Sequence, residues 1–308
     1  VSKKNLTTAI AQVKPEKIPQ AAASNINQLL MGRAAGLQAI VNSTQPDGKV
    51  NISIRGGENP IYVVDGIVMP SEAISTNGGE TGLPSNVNRG GLAGLNPSDI
   101  ESVEILKDAS AAIYGIGAAN GVILITTKKG KEGAPSISYE GSYSFVRNYP
   151  YLDALTSQEY MELANVFNKE NYLYNKKQYP YGPDEYDGKW SPLFSETDRL
   201  NPRNTNWKDY VLKSGYITKH NLTISGGTSK VRYYLGGSYL DQEGTVLNSG
   251  MTKYTFRGNI GVELFPFLNL TSAFNANQNI YSNCMVGTDT GNRGDVAGSA
   301  LTSAPDAR

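Results

Sequence analysis

The chain has 308 residues, 39% of them hydrophobic and 18% charged, enough apolar content to bury a core and too much for a disordered tail. Lys plus Arg and Asp plus Glu both number 28, and no basic stripe stands out, which argues against nucleic acid as a partner. One cysteine, Cys284, and one histidine, His220, exclude an internal disulfide and a Cys/His zinc site. No apolar run reaches the ~18 residues of a spanning helix, a criterion blind to β-barrels, whose strands alternate.

Residues 1–23 read as a solvated linker, interrupted by Pro15 and Pro19. The spacing of Ile26, Leu29, Leu30, Ala34 and Leu37 predicts a helix of about three turns, with Ser24 as cap and Gly36 as stop. Val50, Ile52 and Ile54 alternate as in a strand, and IYVVDGIVM (61–69) predicts a hairpin turning at Asp65-Gly66. The stretch 70–95 has no period and reads as a long loop. Pro97 and Asp99 open a helical turn, Val103 and Ile105 begin a strand, Asp108 caps a short helix ASAAIY, and GVILITT is a β-branched strand. Gly115 and Gly117 have the spacing of a dinucleotide loop, but Asn120 occupies the sixth position and the glycines precede a strand, so tight packing is the better reading.

Beyond Pro135 the period becomes 2. In 136–145, Ile137, Tyr139, Gly141, Tyr143 and Phe145 oppose serines and Glu140. The same split recurs in 230–240, in 253–264, from Leu268 to Asn277, and more weakly in 220–227. Connections alternate: long at 146–216, tight at 227–230, medium at 241–252, tight at 265–267, long again from 279. That asymmetry, with tyrosines near strand ends, fits an outer-membrane barrel with an aromatic girdle better than a soluble sandwich. Five strands cannot close a barrel, which takes an even number of at least ~8, so the chain reads as the N-terminal portion of a longer protein.

LNPSDIESVEILKDASAAIYG (95–115) and AANGVILITTKKG (118–130) closely resemble the plug signature of SusC/RagA-type TonB-linked outer-membrane proteins of Bacteroidota. LLMGRAAGLQAI (29–40), ISIRG (52–56) and IYVVDGIVMP (61–70) resemble earlier plug segments of that family, in the same order. Ile116 and Gly117 stand where the family usually has Ser-Arg or Ala-Arg. The expected fold class is an α+β plug domain followed by the N-terminal strands of a large antiparallel transmembrane β-barrel. Residues 1–23 are then a linker after a TonB box lying upstream, 24–131 the plug, and 132–308 about five barrel strands with long extracellular loops.

The resemblance implies a bacterial outer-membrane importer of oligosaccharides or oligopeptides. TonB would pull on the plug through an upstream segment, a SusD-like surface lipoprotein would act as lid, and outer-membrane lipid would surround the wall. Alternatives are a structural subunit of a larger outer-membrane assembly, a TonB receptor for siderophore or cobalamin, and a secreted glycan-active enzyme. No catalytic set, metal site or cofactor is expected: His220 reads as an ordinary barrel residue, and Asp184 and Glu185 as solvated loop charges. Asn77, Glu80, Asn86, Asn88 and Arg89 are the candidate substrate-facing residues of the plug loop. Tyr181, Tyr186, Trp190 and Trp207 are candidate extracellular-loop aromatics for stacking on a ligand or packing on a lid.

Overall fold

The computed structural model describes residues 10–15, 25–41, 46–48, 50–69, 74–75, 88–89, 92, 94–107, 109–148, 154–200, 202–282, 284 and 296–305. They fall into two units, 1–147 with 214–284, and 148–213 with 285–308. In chain order the first unit begins with β1 (Ile10–Val13), α1 (Ile26–Leu30), β2 (Leu37–Val41), β3 (Val50–Ile54), β4 (Gly57–Glu58), β5 (Ile61–Val64) and β6 (Ile67–Met69). Two short strands, β7 (Ile74–Ser75) and β8 (Asn88–Arg89), precede β9 (Ile100–Leu106) and β10 (Val122–Thr127).

The plug core is a mixed sheet in the order β1-β9-β10-β5-β6, with β10 and β5 parallel and the other pairs antiparallel. Its alternation sends side chains to two separate apolar layers. Tyr62, Val64, Val103, Ile105, Ile123 and Ile125 pack with Ile26, Leu30 and the β2-β3 residues on one face. Val63, Leu106 and Val122 pack with Ala111 and Ala118 of the 3₁₀ turns 109–120 on the other. Burial on both faces is why VILITT and IYVV read as near-continuous apolar runs.

Three expectations are corrected here. The helix after Asn25 stops at Leu30, because Gly32 and Gly36 take left-handed φ values of +67° and +75°, and Leu37 leaves it to pair with Ile54 in a sheet. Its cap is Asn25, whose side chain accepts the Gln28 amide, and not Ser24. Ile10–Val13, inside the expected linker, forms an edge strand on β9. The hairpin turns at Asp65-Gly66 as expected, both residues left-handed at φ +49° and +91°. Asp108 lies outside the described residues. Gly121 answers for the glycine-rich stretch: at φ +96°, a Cβ there would lie 2.8 Å from Ile54 Cδ1.

The wall is an antiparallel sheet of five sequential strands, β11 (Gly133–Val146), β12 (Gly215–Gly227), β13 (Val231–Glu243), β14 (Gly250–Phe265) and β15 (Leu268–Ser282). All are longer than the period-2 pattern alone delimits, and the medium loop shrinks accordingly to 244–249. In β14, Met251, Lys253, Thr255, Arg257 and Asn259 are buried on the plug side, while Tyr254, Phe256 and Ile260 are exposed on the other. The outer face carries Ile137, Leu222, Val231, Phe256, Leu264, Leu270 and Phe274, an apolar belt far too continuous for contact with water. From Tyr254 to Leu264, at about 3.3 Å per residue and a tilt of about 40°, this belt stands about 25 Å tall. Gly258 has no side chain on that face because the Phe274 ring lies over it.

A row of rings closes the belt at its loop-bearing edge. Tyr139, His220, Tyr239 and Tyr254 follow one another across β11 to β14, with centroids 6.1, 6.2 and 5.3 Å apart. His220 Nδ1 is hydrogen-bonded to the Tyr139 hydroxyl at 2.7 Å. On β12 to β14 polar groups follow the rings, Asp241 accepting from the Tyr216 and Thr252 hydroxyls at 2.8 and 2.9 Å, while Tyr143 and Phe145 of β11 and Ile280 of β15 keep that face partly apolar. This is the succession expected at the edge of a bilayer.

The second unit contains α2 (Ser157–Asn175), α3 (Glu196–Leu200), α4 (Trp207–Val211) and α5 (Val296–Thr302). The 146–216 stretch, expected as a loop, therefore holds a 19-residue helix. Its start is a capping box in which the Thr156 hydroxyl accepts the Glu159 amide and the Glu159 carboxylate accepts the Thr156 amide.

Candidate functional site

Polar residues of the wall's inner face reach the plug at several points, among them Tyr281 to Asp47, Asn275 to the Gly94 carbonyl, and three more extensive contacts. Lowest in chain order of these three is the hairpin turn. Asp65 Oδ1 accepts the Thr127 amide at 3.0 Å, its Oδ2 accepts the Thr127 hydroxyl at 2.5 Å, and Arg257 Nη2 of β14 donates to the same Oδ2 at 2.8 Å. Arg257 also donates to the Thr127 hydroxyl. The Arg257 side chain is 7% exposed and that of Asp65 22%, so the pair is shielded from screening. Burial pushes the Asp65 carboxyl up, but the Thr127 bonds and the Arg257 guanidinium outweigh it and hold the group below the usual carboxylate range.

The second point is Asp99, which ends the 3₁₀ turn Pro97–Asp99 and accepts the Tyr234 hydroxyl at 2.8 Å. Burial raises its carboxyl above the ordinary value, against the opposing pull of that hydrogen bond and of Arg257 and Lys128. The approach depends on Gly236 beside it, where a Cβ would lie 2.8 Å from Asp99 Oδ1. Third, Asn96 donates to Asn221 Oδ1 and Asn221 donates to the Ser98 hydroxyl, both at 2.9 Å. Asn96 can aim its amide this way because its own oxygen caps the turn, accepting the Ser98 amide at 3.1 Å. Where the chain leaves the plug, Gly130 presses against the backbone of Tyr233, a contact that leaves no room for a Cβ.

Asn77, Glu80 and Asn86 of the expected substrate-facing set lie outside the described residues. The backbones of Asn88 and Arg89 form β8, paired with Ser75 and Ile74. In the sequence Asp65 shows only as a turn former and Arg257 as one polar residue among several; their pairing depends on the fold.

In the second unit, Tyr186 and Trp190 flank one cation: Lys169 Nζ of α2 sits 5.7 and 5.5 Å from their ring centroids. The Trp190 indole donates to Asn168 Oδ1 at 2.8 Å, and Tyr172 donates to the Asp187 carboxylate. Tyr181 packs edge-on against Tyr174 at 6.1 Å, and Tyr181 and Tyr186 remain 43% and 44% exposed. Three expected aromatics thus gather around α2. Trp207 does not join them; its indole donates to the Ala304 carbonyl at 2.9 Å. Asp184 and Glu185 are exposed. Among the described residues no group of three His, Cys, Asp or Glu is placed to hold a metal ion.

Residues 2–122 match the family model described as the TonB-dependent Receptor Plug Domain. The TonB-dependent receptor SusC of Bacteroides thetaiotaomicron is 32% identical over 92% of this chain and 26% of its own length. TonB-dependent receptor P3 of Formosa agariphila is 30% identical over 99% of this chain and 27% of its own. Among solved structures, the RagAB peptide importer in its closed-closed state superposes with a TM-score of 0.70 at 25% identity, covering 98% of this chain and 34% of that one. The chain therefore spans about a quarter to a third of the length of the proteins it resembles.

Proposed function

This chain belongs to the SusC/RagA-type TonB-dependent receptors of the outer membrane, and we propose that it serves import of oligosaccharides or oligopeptides. A SusD-like surface lipoprotein covers the mouth, and TonB acts through a segment upstream. The observation that carries this reading is the plug held to the wall's inner face by polar contacts at Asp47, Asp65, Gly94, Asn96 and Asp99. Packing between plug and wall that was mainly apolar would resist displacement, whereas hydrogen bonds exchange with water at little net cost. RagAB, a peptide importer, shares the fold of both parts.

Asn77, Glu80, Asn86, Asn88 and Arg89 are the proposed substrate-facing residues of the plug loop. Tyr181, Tyr186, Trp190 and Trp207 are the proposed loop contacts for ligand or lid, the Trp207 indole also donating to the Ala304 carbonyl. Residues 24–131 are proposed as the plug, and residues 132–308 as wall strands with long extracellular connections.

The test uses the full-length receptor in its own outer membrane. Uptake of labelled oligosaccharides and oligopeptides is measured with and without TonB, and with and without the lipoprotein partner. Import predicts loss of uptake in both deletions; uptake indifferent to TonB overturns the reading. Alanine at Asn88 and Arg89 is expected to weaken ligand binding, and unchanged affinity removes them from the set.

A further inference from the structure

We infer that the seam between plug and wall contains a carboxylate-binding subsite centred on Lys253 and Lys219. A small cleft, with room for about one water-sized group, lies where Asn96 and Ser98 of the plug meet Lys219, Asn221, Ser238 and Lys253 of the wall. Lys219 pairs with Leu240 and Leu240 with Lys253, so the two lysines stand on one rung of the inner face, two strands apart. At about 4.8 Å per strand their Cα atoms are about 10 Å apart, a span that two lysine stems bridge by converging on one small anion.

Lys253 is 3% exposed, and its ammonium has no hydrogen-bond partner among the described residues. A buried cation without a partner is costly, and a ligand anion supplies what the fold withholds. Its neighbours do not. Asp47, the acid within electrostatic reach of Lys253, is already engaged, accepting from Asn25 and from the Tyr281 hydroxyl at 3.3 and 2.9 Å. Glu140 also lines the cleft and offsets Lys219, but it stands on β11, three strands from Lys253. The Ser238 hydroxyl and the Asn96-Asn221-Ser98 bridge add neutral polar groups that suit a planar carboxylate.

This inference rests on the importer reading, and it names a carboxylate whether carried by a uronic acid or by a peptide. Because the cleft is shared by plug and wall, a carboxylate seated there contacts both parts that import must separate.

The experiment takes full-length receptor and measures binding of trigalacturonate against maltotriose, and of a tetrapeptide with a free C-terminus against its C-terminal amide. Tighter binding of either carboxylate form than of its neutral counterpart is expected, and Lys253→Met should weaken that form about tenfold or more. Lys219→Met should weaken it less, and Glu140→Gln should leave it equal or tighter. Methionine keeps the stem and removes a buried charge, and unchanged thermal unfolding of the variant confirms that the fold is intact. Equal binding of charged and neutral forms, no binding of either carboxylate form, or wild-type affinity in Lys253→Met overturns the subsite. TonB-dependent uptake measured in parallel keeps the two readings apart: if uptake persists without charge preference, the subsite alone fails.

Discussion

Arg257 on β14 donates to Asp65 at the plug's hairpin turn across 2.8 Å, a buried ion pair between residues 192 positions apart in sequence. Both partners have other commitments, Asp65 to the Thr127 amide and hydroxyl and Arg257 to the Thr127 hydroxyl. The pair therefore couples three segments that the chain places far apart.

Removing one partner should cost more than removing both. Arg257→Met leaves the Asp65 carboxylate partly buried without its cation and is expected to destabilise the plug by about 3 kcal/mol. Asp65→Asn should do similar damage by stranding Arg257. The double variant should recover part of the loss, with a coupling of about 1–3 kcal/mol in chemical denaturation of the full-length receptor. Strict additivity of the single effects would show that the ion pair contributes nothing specific.

The two plug acids make opposite pH contributions. Asp65, whose folded value is depressed, stabilises the folded state above its unfolded pKa, near 3.9, and that contribution fades as pH falls through the lower folded value. Asp99, whose folded value is raised, costs stability as pH rises from near 3.9 through its folded value, and the cost persists above it. Asp99→Asn should thus remove the decline that begins as pH rises above about 3.9, and Asp65→Asn the loss that sets in below it. Hydrogen exchange at Val122–Thr127 across a pH series, corrected for intrinsic rates, reads both.

Charge placed on the outer face of β14 should be tolerated according to height. Ile260→Arg, near the mid-height of the belt, is expected to cost about 2–4 kcal/mol, and Tyr254→Arg, in the ring row, about 0–1 kcal/mol. Reversible unfolding of the full-length barrel in lipid vesicles measures the difference. Equal costs at the two positions would mean that the ring row is not an interface.

The α2 cap gives a local prediction. Thr156→Ala removes one half of the capping box and should cost the helix about 1 kcal/mol. Exchange of the Ser157–Tyr160 amides should accelerate while that of the wall strands is unchanged.

Gly121→Ala should destabilise the plug by about 1–3 kcal/mol, since an L side chain must hold φ at +96° against Ile54. Thermal unfolding tests it, and a neutral result would require β3 to move aside.

What could be read in the sequence followed from local chemistry. Asp65-Gly66 dictates its turn without help from elsewhere, and the strict alternation around Tyr254 and Arg257 assigns wet and greasy faces before any partner strand is known. Leu37 continues the helical spacing that begins at Ile26, and only its pairing with Ile54 overrides that signal. Ile10–Val13 is too short to show a period, and its place on β9 depends on residues some ninety positions away. The 19-residue α2 did carry a legible start in Thr156 and Glu159, obscured by the tyrosines and prolines around it. Of the residues proposed for binding, the aromatics around α2 stand out in the sequence and Lys253 does not, since its lack of a hydrogen-bond partner shows only in the folded chain.

The ring row on the wall's outer face also fixes a depth for its inner face. His220, Tyr239 and Tyr254 are each the chain neighbour of Lys219, Leu240 and Lys253, so the lysine rung lies at the level where the rings meet the headgroups. Both lysines are buried there, so an anion would reach them only through the seam between plug and wall, at the depth where the outer surface passes from hydrocarbon to water.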